Sequence, residues 1–181
     1  NLTSKELKAL RERLTRDHSL ITVVGEFNRG KSSFLNSLIG QKIIPVGVTP
    51  TTATINIVHG SDVNSIVAHR KDGSKQRIVD LQDLTHFSGP NNEDAVNIKY
   101  LEFAVQPFPF NNSLLFVDTP GVNDINEQRE EVTYGFIPNS DATIFLLSAD
   151  TPLKKTELDF LKDHLIGNSI ERIFFVVNKI D

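Results

Sequence analysis

Apolar residues along this chain fall into short runs of strand character, each closed by glycine, proline or a polar turn, with helix-competent stretches between them. Leu20 to Val24 is an unbroken β-branched-rich run leading into Gly25, and Ser33 to Ile39 behind it is helix-competent. Ala53 to His59 alternates, as a strand with one buried face does. Ser65–Arg70 and Lys75–Val79 flank the turn signal Lys71-Asp72-Gly73-Ser74 and predict a hairpin. Asp80–Phe87 reads as a short helix, Ser88–Asp94 as turns, Asn97–Val105 and Ser113–Val117 as two strands joined by Pro107–Asn112, and Asn126–Ile137 as a helix. Ala142–Leu147 and Arg172–Val177 are apolar throughout, as buried parallel strands are, with a helix from Lys154 to Leu165 between them. At the front, Leu2 to Asp17 predicts an amphipathic helix. Thr3 and Glu6 form a capping box, and Leu7, Leu10 and Leu14 make one stripe, which suits either the domain's own sheet or a partner segment. Alternation of strands and helices predicts an α/β fold: a mostly parallel sheet, helices on both faces, and ligand at the carboxyl ends of the strands.

Composition narrows the classes. A chain of 181 residues suits one domain with a real core, here preceded by a flanking helix over 1–18. A net charge of −4 without a basic face speaks against a nucleic-acid surface. The absence of cysteine excludes disulfides and thiolate metal sites and fits a reducing, cytoplasmic setting. His18, His59, His86 and His164 lack ligand-like spacing, so no transition-metal site is expected. His69, Arg70, Lys71, Lys75 and Arg77 read as a solvated hairpin tip. No apolar run approaches the ~18 residues of a membrane span, and no signal peptide is seen. A start at Asn1 with no methionine anywhere is what a segment of a longer protein would show.

Chemistry enters with Gly25-Glu26-Phe27-Asn28-Arg29-Gly30-Lys31-Ser32, a G-x-x-x-x-G-K-S phosphate loop placed between a strand and a helix. The glycines let backbone N–H groups turn inward on phosphates, and the helix behind, opening at Ser33, favours the anion. Lys31 would reach the β- and γ-phosphates, and the Ser32 hydroxyl would hold Mg²⁺. Asp118-Thr119-Pro120-Gly121 follows the next apolar strand. Its carboxylate can serve Mg²⁺, usually through water, and Gly121 lets a backbone N–H approach the γ-phosphate. Asn178-Lys179-Ile180-Asp181 closes a third apolar run. The Asp181 carboxylate can accept from guanine N1–H and the 2-amino group, a pair adenine lacks; Asn178 would tie this loop to the phosphate loop, and the Lys179 stem would lie on the base.

Three motifs in this order, each after an apolar strand, resemble those of translation-factor-class GTPases. The second motif of that class, a threonine before the second strand, has four candidates in Thr49, Thr51, Thr52 and Thr54, with Thr52 first and Thr51 second. The stretch from Gly25 through Leu38, the run Pro45-Val46-Gly47-Val48-Thr49-Pro50-Thr51-Thr52-Ala53-Thr54, and Asp150-Thr151-Pro152-Leu153 resemble the bacterial dynamin-like proteins. The 87 residues from Lys31 to Asp118 hold the hairpin and helix of 61–96, as a large dynamin-type G domain would. This resemblance implies a G domain over 19–181, its fifth motif and last strand outside the segment, GTP hydrolysis with Mg²⁺, G-domain dimerisation across the nucleotide, and membrane attachment, at the inner face, through regions elsewhere. The segment alone is then expected to bind GTP weakly. The alternatives are an RNA-acting regulatory switch and a GTP-binding structural module of low turnover.

The resemblance breaks at two places. Val122 stands where Ras-like enzymes carry a water-orienting glutamine, and Phe27 where dynamins place a polar residue, so the backbone of the Thr52 loop becomes the candidate for that role. Asn28 matches the asparagine that binds K⁺ beside the phosphates in cation-dependent GTPases; the plain alternative is a turn residue tolerant of unusual backbone angles. Arg29 reads first as a solvated surface charge and second as an arginine finger acting in trans.

Overall fold

Residues 17–46, 54–79, 83–84, 97–121, 137–167, 170 and 172–180 are described in the computed structural model of the chain. They form β1 (Ser19–Val24), α1 (Lys31–Ile39), β2 (Ile55–Gly60), β3 (Ser65–Arg70), β4 (Lys75–Ile78), β5 (Ile98–Val105), β6 (Leu114–Asp118), a 3₁₀ turn (Ile137–Asn139), β7 (Ala142–Ser148), α2 (Lys155–Phe160), a π-helical turn (Leu161–Ile166) and β8 (Ile173–Asn178). The strands make one sheet in the order β4-β3-β5-β2-β6-β1-β7-β8. β1 runs parallel to β6 and β7, and β7 parallel to β8. These four strands therefore end on one edge of the sheet, and all three nucleotide motifs follow them. β2 is antiparallel to β6 but parallel to β5, and β3 is antiparallel to β4 and β5. The long insertion thus extends the sheet on the side away from β8.

Neighbouring strand residues point to opposite faces, so Val23 and Val24 belong to different cores. Val23, Phe116, Val58, Leu101 and Phe103 pack with Leu35 and Ile39 of α1 on one face. Val24, Phe145 and Leu147 pack with Phe160 and Leu165 on the other. Helices therefore cover both faces, as the alternating pattern predicts. Gly40 ends α1 in the left-handed conformation, and its N–H returns to the Asn36 and Ser37 carbonyls. Asn36 is buried and fastens the loop that follows. Its amide donates to the Ile44 carbonyl at 2.7 Å, and its oxygen accepts from the Ile43 and Ile44 N–H groups at 3.0 and 2.9 Å.

Two expectations change. The helix over Lys154–Leu165 is α only to Phe160, then widens to π, with the Gly167 N–H reaching the Lys162 carbonyl. Widening brings residues five apart toward one face, which lets Phe160 and Leu165 meet the same core. The run at Arg172–Val177 forms β8, which runs parallel beside β7 as expected. Phe174, Phe175 and Val177 are each more than half exposed, because β7 is its only sheet partner among the described residues. His69 is buried and does not share the solvated hairpin tip; it stacks on Tyr100 with ring centroids 4.2 Å apart. The helices expected at Leu2–Asp17, Asp80–Phe87 and Asn126–Ile137 lie outside the described residues, apart from Asp17, 83–84 and Ile137, which opens the 3₁₀ turn.

His69 also explains how the insertion is fixed. Its Nε2 meets Glu102 Oε2 at 2.5 Å, while His59 Nε2 meets Oε1 at 3.0 Å, so one carboxylate joins β2, β5 and β3. Burial pushes the Glu102 carboxyl up, but hydrogen bonding and charge from the two imidazoles outweigh it and leave the group below its ordinary 4.5. A lowered folded value gives stability that is present above the ordinary range and lost as pH falls through the folded value. Glu102→Gln should cost about 1 kcal/mol near neutral pH in urea denaturation. The difference from wild type should shrink as pH falls below 4.5.

Candidate functional site

The phosphate loop lies where three neighbours leave room for hydrogen alone. A Cβ on Gly25 would stand 2.6 Å from the Leu146 carbonyl oxygen of β7. One on Gly30, whose φ is +83°, would stand 2.6 Å from Asn178 Nδ2. One on Gly121 would stand 2.6 Å from the Phe27 nitrogen. The loop is thus in backbone contact with β7 and with the residues after β6, and meets the end of β8 through the Asn178 side chain. Gly30 also starts α1, which no side chain caps. An uncapped helix N-terminus favours an anion. Lys31 is buried, and its ammonium donates to the Gly25 and Glu26 carbonyls at 3.0 and 3.1 Å. Ser33, next in the helix, is half-buried.

Beside the loop, the Ser32 hydroxyl donates to Asp118 Oδ2 at 2.6 Å, and Asn56 Nδ2 donates to the same oxygen at 3.3 Å. Thr119 ties the following turn back to β1, its hydroxyl donating to the Val23 carbonyl at 2.8 Å. Asp118 Oδ1 and Asn56 Oδ1 are buried and have no hydrogen-bond partner among the described residues. Burial pushes the Asp118 carboxyl up, against the Ser32 hydrogen bond, the Lys31 charge and the Asn56 hydrogen bond. A hydroxyl, a carboxylate with one unpaired oxygen and a second unpaired acceptor form an all-oxygen donor set, which fits a hydrated hard cation such as Mg²⁺.

Arg29 departs from both sequence expectations, since its side chain is neither solvated nor extended toward a partner. Its Nε donates to Glu157 Oε1 at 2.9 Å, its guanidinium to Glu26 Oε2 at 2.8 Å and to the Thr151 hydroxyl at 3.1 Å. Glu157, on α2, is fully buried, and its other oxygen accepts the Lys154 N–H at 3.0 Å. Glu26 further accepts from Lys154 Nζ at 3.2 Å and from the Thr156 hydroxyl at 2.5 Å. Burial pushes the Glu26 carboxyl up, but the Thr156 and Lys154 hydrogen bonds and the Lys154 and Arg29 charges bring it below its ordinary value. From the other side, Asn178 Nδ2 donates to the Arg29 carbonyl at 2.9 Å. Arg29 therefore joins the loops after β1, β7 and β8.

The remaining loop positions are more open. Phe27 is 46% exposed. Asn28 is exposed with φ of +61°, a left-handed conformation that asparagine tolerates. Lys179 has φ of +58°. Thr54 is half-buried just ahead of β2, while Thr49, Thr51, Thr52, Val122 and Asp181 lie outside the described residues. Sequence reasoning assigned no role to Asn56 or Glu157, and marked Thr151 only as part of the run Asp150-Thr151-Pro152-Leu153. A polar residue inside the apolar alternation of β2 was a signal for Asn56; nothing local marked Glu157 as the partner of a residue 128 positions earlier.

Removing one member of a buried ion pair strands the other charge. Arg29→Ala should therefore lower unfolding stability by about 3–5 kcal/mol in denaturant titration. Arg29→Met with Glu157→Leu should recover most of it, since neither charge then remains buried.

The family model described as the Dynamin family matches residues 21–180. A protein of the xynA 3′ region of Caldicellulosiruptor is 34% identical over 177 residues, which cover 96% of this chain and 43% of that protein. The bacterial dynamin-like protein of Nostoc punctiforme is 28% identical, with 89% of this chain and 24% of its own length covered. A solved structure of an oligomerised bacterial dynamin pair, described as a mechanism for long-range sensing and tethering of membranes, superposes with a TM-score of 0.69 and 27% identity over 98% of this chain and 28% of that one. The chain thus spans less than half the length of these relatives.

Proposed function

The chain belongs to the dynamin family as a G domain, and on that premise we propose that it binds GTP and hydrolyses it to GDP and phosphate. The observation that carries this reading is the 2.6 Å bond between Ser32 and Asp118 at the foot of a phosphate loop into which Lys31 is folded. Loop N–H groups from Gly25 to Ser33 and the start of α1 cradle the phosphates, and Lys31 places its charge against the β- and γ-oxygens. Ser32 and Asp118, with Thr52 ahead of β2, would hold Mg²⁺. When bound, that ion neutralises charge on the β- and γ-phosphate oxygens. Gly121 lies against the Phe27 backbone, where a Cβ would not fit, and its N–H would serve the γ-phosphate. Asn178 holds the base-reading loop to the phosphate loop, Lys179 covers the base, and the Asp181 carboxylate selects guanine.

With Val122 and Phe27 apolar, the Thr52 backbone would orient the attacking water, and Asn28 would hold a K⁺ ion able to offset transition-state charge. The clasp on Arg29 keeps its guanidinium away from that role. A nucleotide-dependent homodimer across the loop face, and action at a membrane through regions beyond this segment, extend the reading; the tethering of membranes described for the bacterial dynamin pair supports it. No helix of the described residues is long and apolar enough to cross a membrane. Turnover of GTP by the full-length protein, with liposome and K⁺ titrations, tests the proposal. Lys31→Ala should abolish turnover, and wild-type rates should rise with protein concentration and with K⁺ over Na⁺. Turnover unaffected by Lys31→Ala would refute the assignment of this loop, and equal rates in Na⁺ and K⁺ at high protein concentration would remove the role given to Asn28.

A further inference from the structure

We infer that Asn56 is an outer ligand of the divalent-cation site: its amide N–H₂ orients Asp118 while its side-chain oxygen accepts a hydrogen bond from a water bound to the cation. The inference rests on the nucleotide-binding reading above but concerns a residue that reading does not use.

Asn56 stands on β2 directly opposite Asp118 in the antiparallel register with β6. Its flanks and near neighbours Ile55, Ile57 and Val58 are apolar, and Ile55 and Val58 are fully buried. A lone amide at 3% exposure in such a strand needs a reason, because an apolar side chain of the same shape would leave nothing unmatched. Its orientation is settled by chemistry. Nδ2 faces Asp118 Oδ2 at 3.3 Å, and turning the amide over would set two acceptor oxygens against each other. Oδ1 is therefore the amide's remaining atom beside the carboxylate, and it has no partner among the described residues.

That orphan oxygen does not stand alone. Among the described residues, the buried side-chain atoms without a partner are Asn56 Oδ1, Asp118 Oδ1 and Thr143 Oγ1. Thr143 pairs in register with Thr22 on β1, whose side chain lies on the sheet face opposite to Val23. The other two belong to residues directly opposite one another, beside the Ser32 hydroxyl that donates to the same carboxylate. Two unmet acceptors next to a buried negative charge call for a positively charged source of O–H donors. A hydrated divalent ion supplies both, since Mg²⁺ sheds water reluctantly and keeps several inner waters. Groups that orient first ligands and hold bound water usually change metal affinity 10–100-fold when lost. A position purely for packing would instead change stability and leave the metal untouched.

The test uses full-length protein with GDP and Mn²⁺ as the paramagnetic probe, following free Mn²⁺ by electron paramagnetic resonance, with GDP affinity measured separately without metal. Asn56→Leu should weaken Mn²⁺ binding to the GDP complex by about 10–100-fold. The Tm of the metal-free protein should stay level or rise, since an unmatched buried oxygen is gone. Asn56→Ala carries the same expectation for Mn²⁺ in a smaller side chain, should the leucine variant not fold. Unchanged Mn²⁺ affinity in a folded variant that still binds GDP overturns the role of Asn56 and leaves the nucleotide reading intact. Failure of the wild-type protein to bind GDP overturns both.

Discussion

Close backbone contact around the phosphate loop is the constraint on which the rest of the site depends. Gly25, Gly30 and Gly121 each stand where a Cβ would come within 2.6 Å of another segment: the Leu146 carbonyl, the Asn178 amide and the Phe27 nitrogen. A strand order of β6-β1-β7-β8 supplies those neighbours, because parallel strands deliver the loops that follow them to a common edge. Once the loops touch, side chains finish the assembly. Ser32 reaches Asp118, Asn178 reaches the Arg29 carbonyl, and the Arg29 guanidinium reaches Thr151 and Glu157. The loops after β1, β6, β7 and β8, to which we assign phosphate, cation and base, are then parts of one contact network.

Charge in that network is arranged in two separate balances. Arg29 and Lys154 face Glu26 and Glu157, and this balance is closed within the protein. Asp118 is different. It is buried, pushed upward by that burial, and keeps one oxygen unpaired. Lys31 contributes opposing charge but donates its hydrogen bonds to loop carbonyls. The closed balance suits a scaffold and the open one suits a ligand site, which is why Arg29 belongs with the framework and Asp118 with the chemistry.

Much of the fold was legible because the apolar pattern is strong where strands are central. The runs at Leu20–Val24 and Ala142–Leu147, and the hairpin around Lys71–Ser74, reappear as β1, β7 and the β3–β4 pair within a residue or two. Two things were out of reach. Helical periodicity does not state where a turn widens, so Lys154–Leu165 read as one regular helix although it becomes π after Phe160. A charge does not announce a distant partner either, so Arg29 read as surface and His69 as part of a solvated tip, whereas Glu157 and Glu102 hold them. Within the site, the glycines, Lys31, Ser32 and Asp118 stood out through fixed spacing. Asn56 belongs to no motif, and only its pairing with Asp118 across two strands gives it meaning.

The central claim is that these converging loops make a pocket for a guanine nucleotide. Equilibrium binding of Mg²⁺-GTP and Mg²⁺-ATP to the full-length protein, compared by calorimetry, tests it most directly. A site that pairs a carboxylate with two donors on the base should favour GTP by roughly 10⁴-fold or more. Equal affinity for the two nucleotides, or a preference for ATP, would contradict the account.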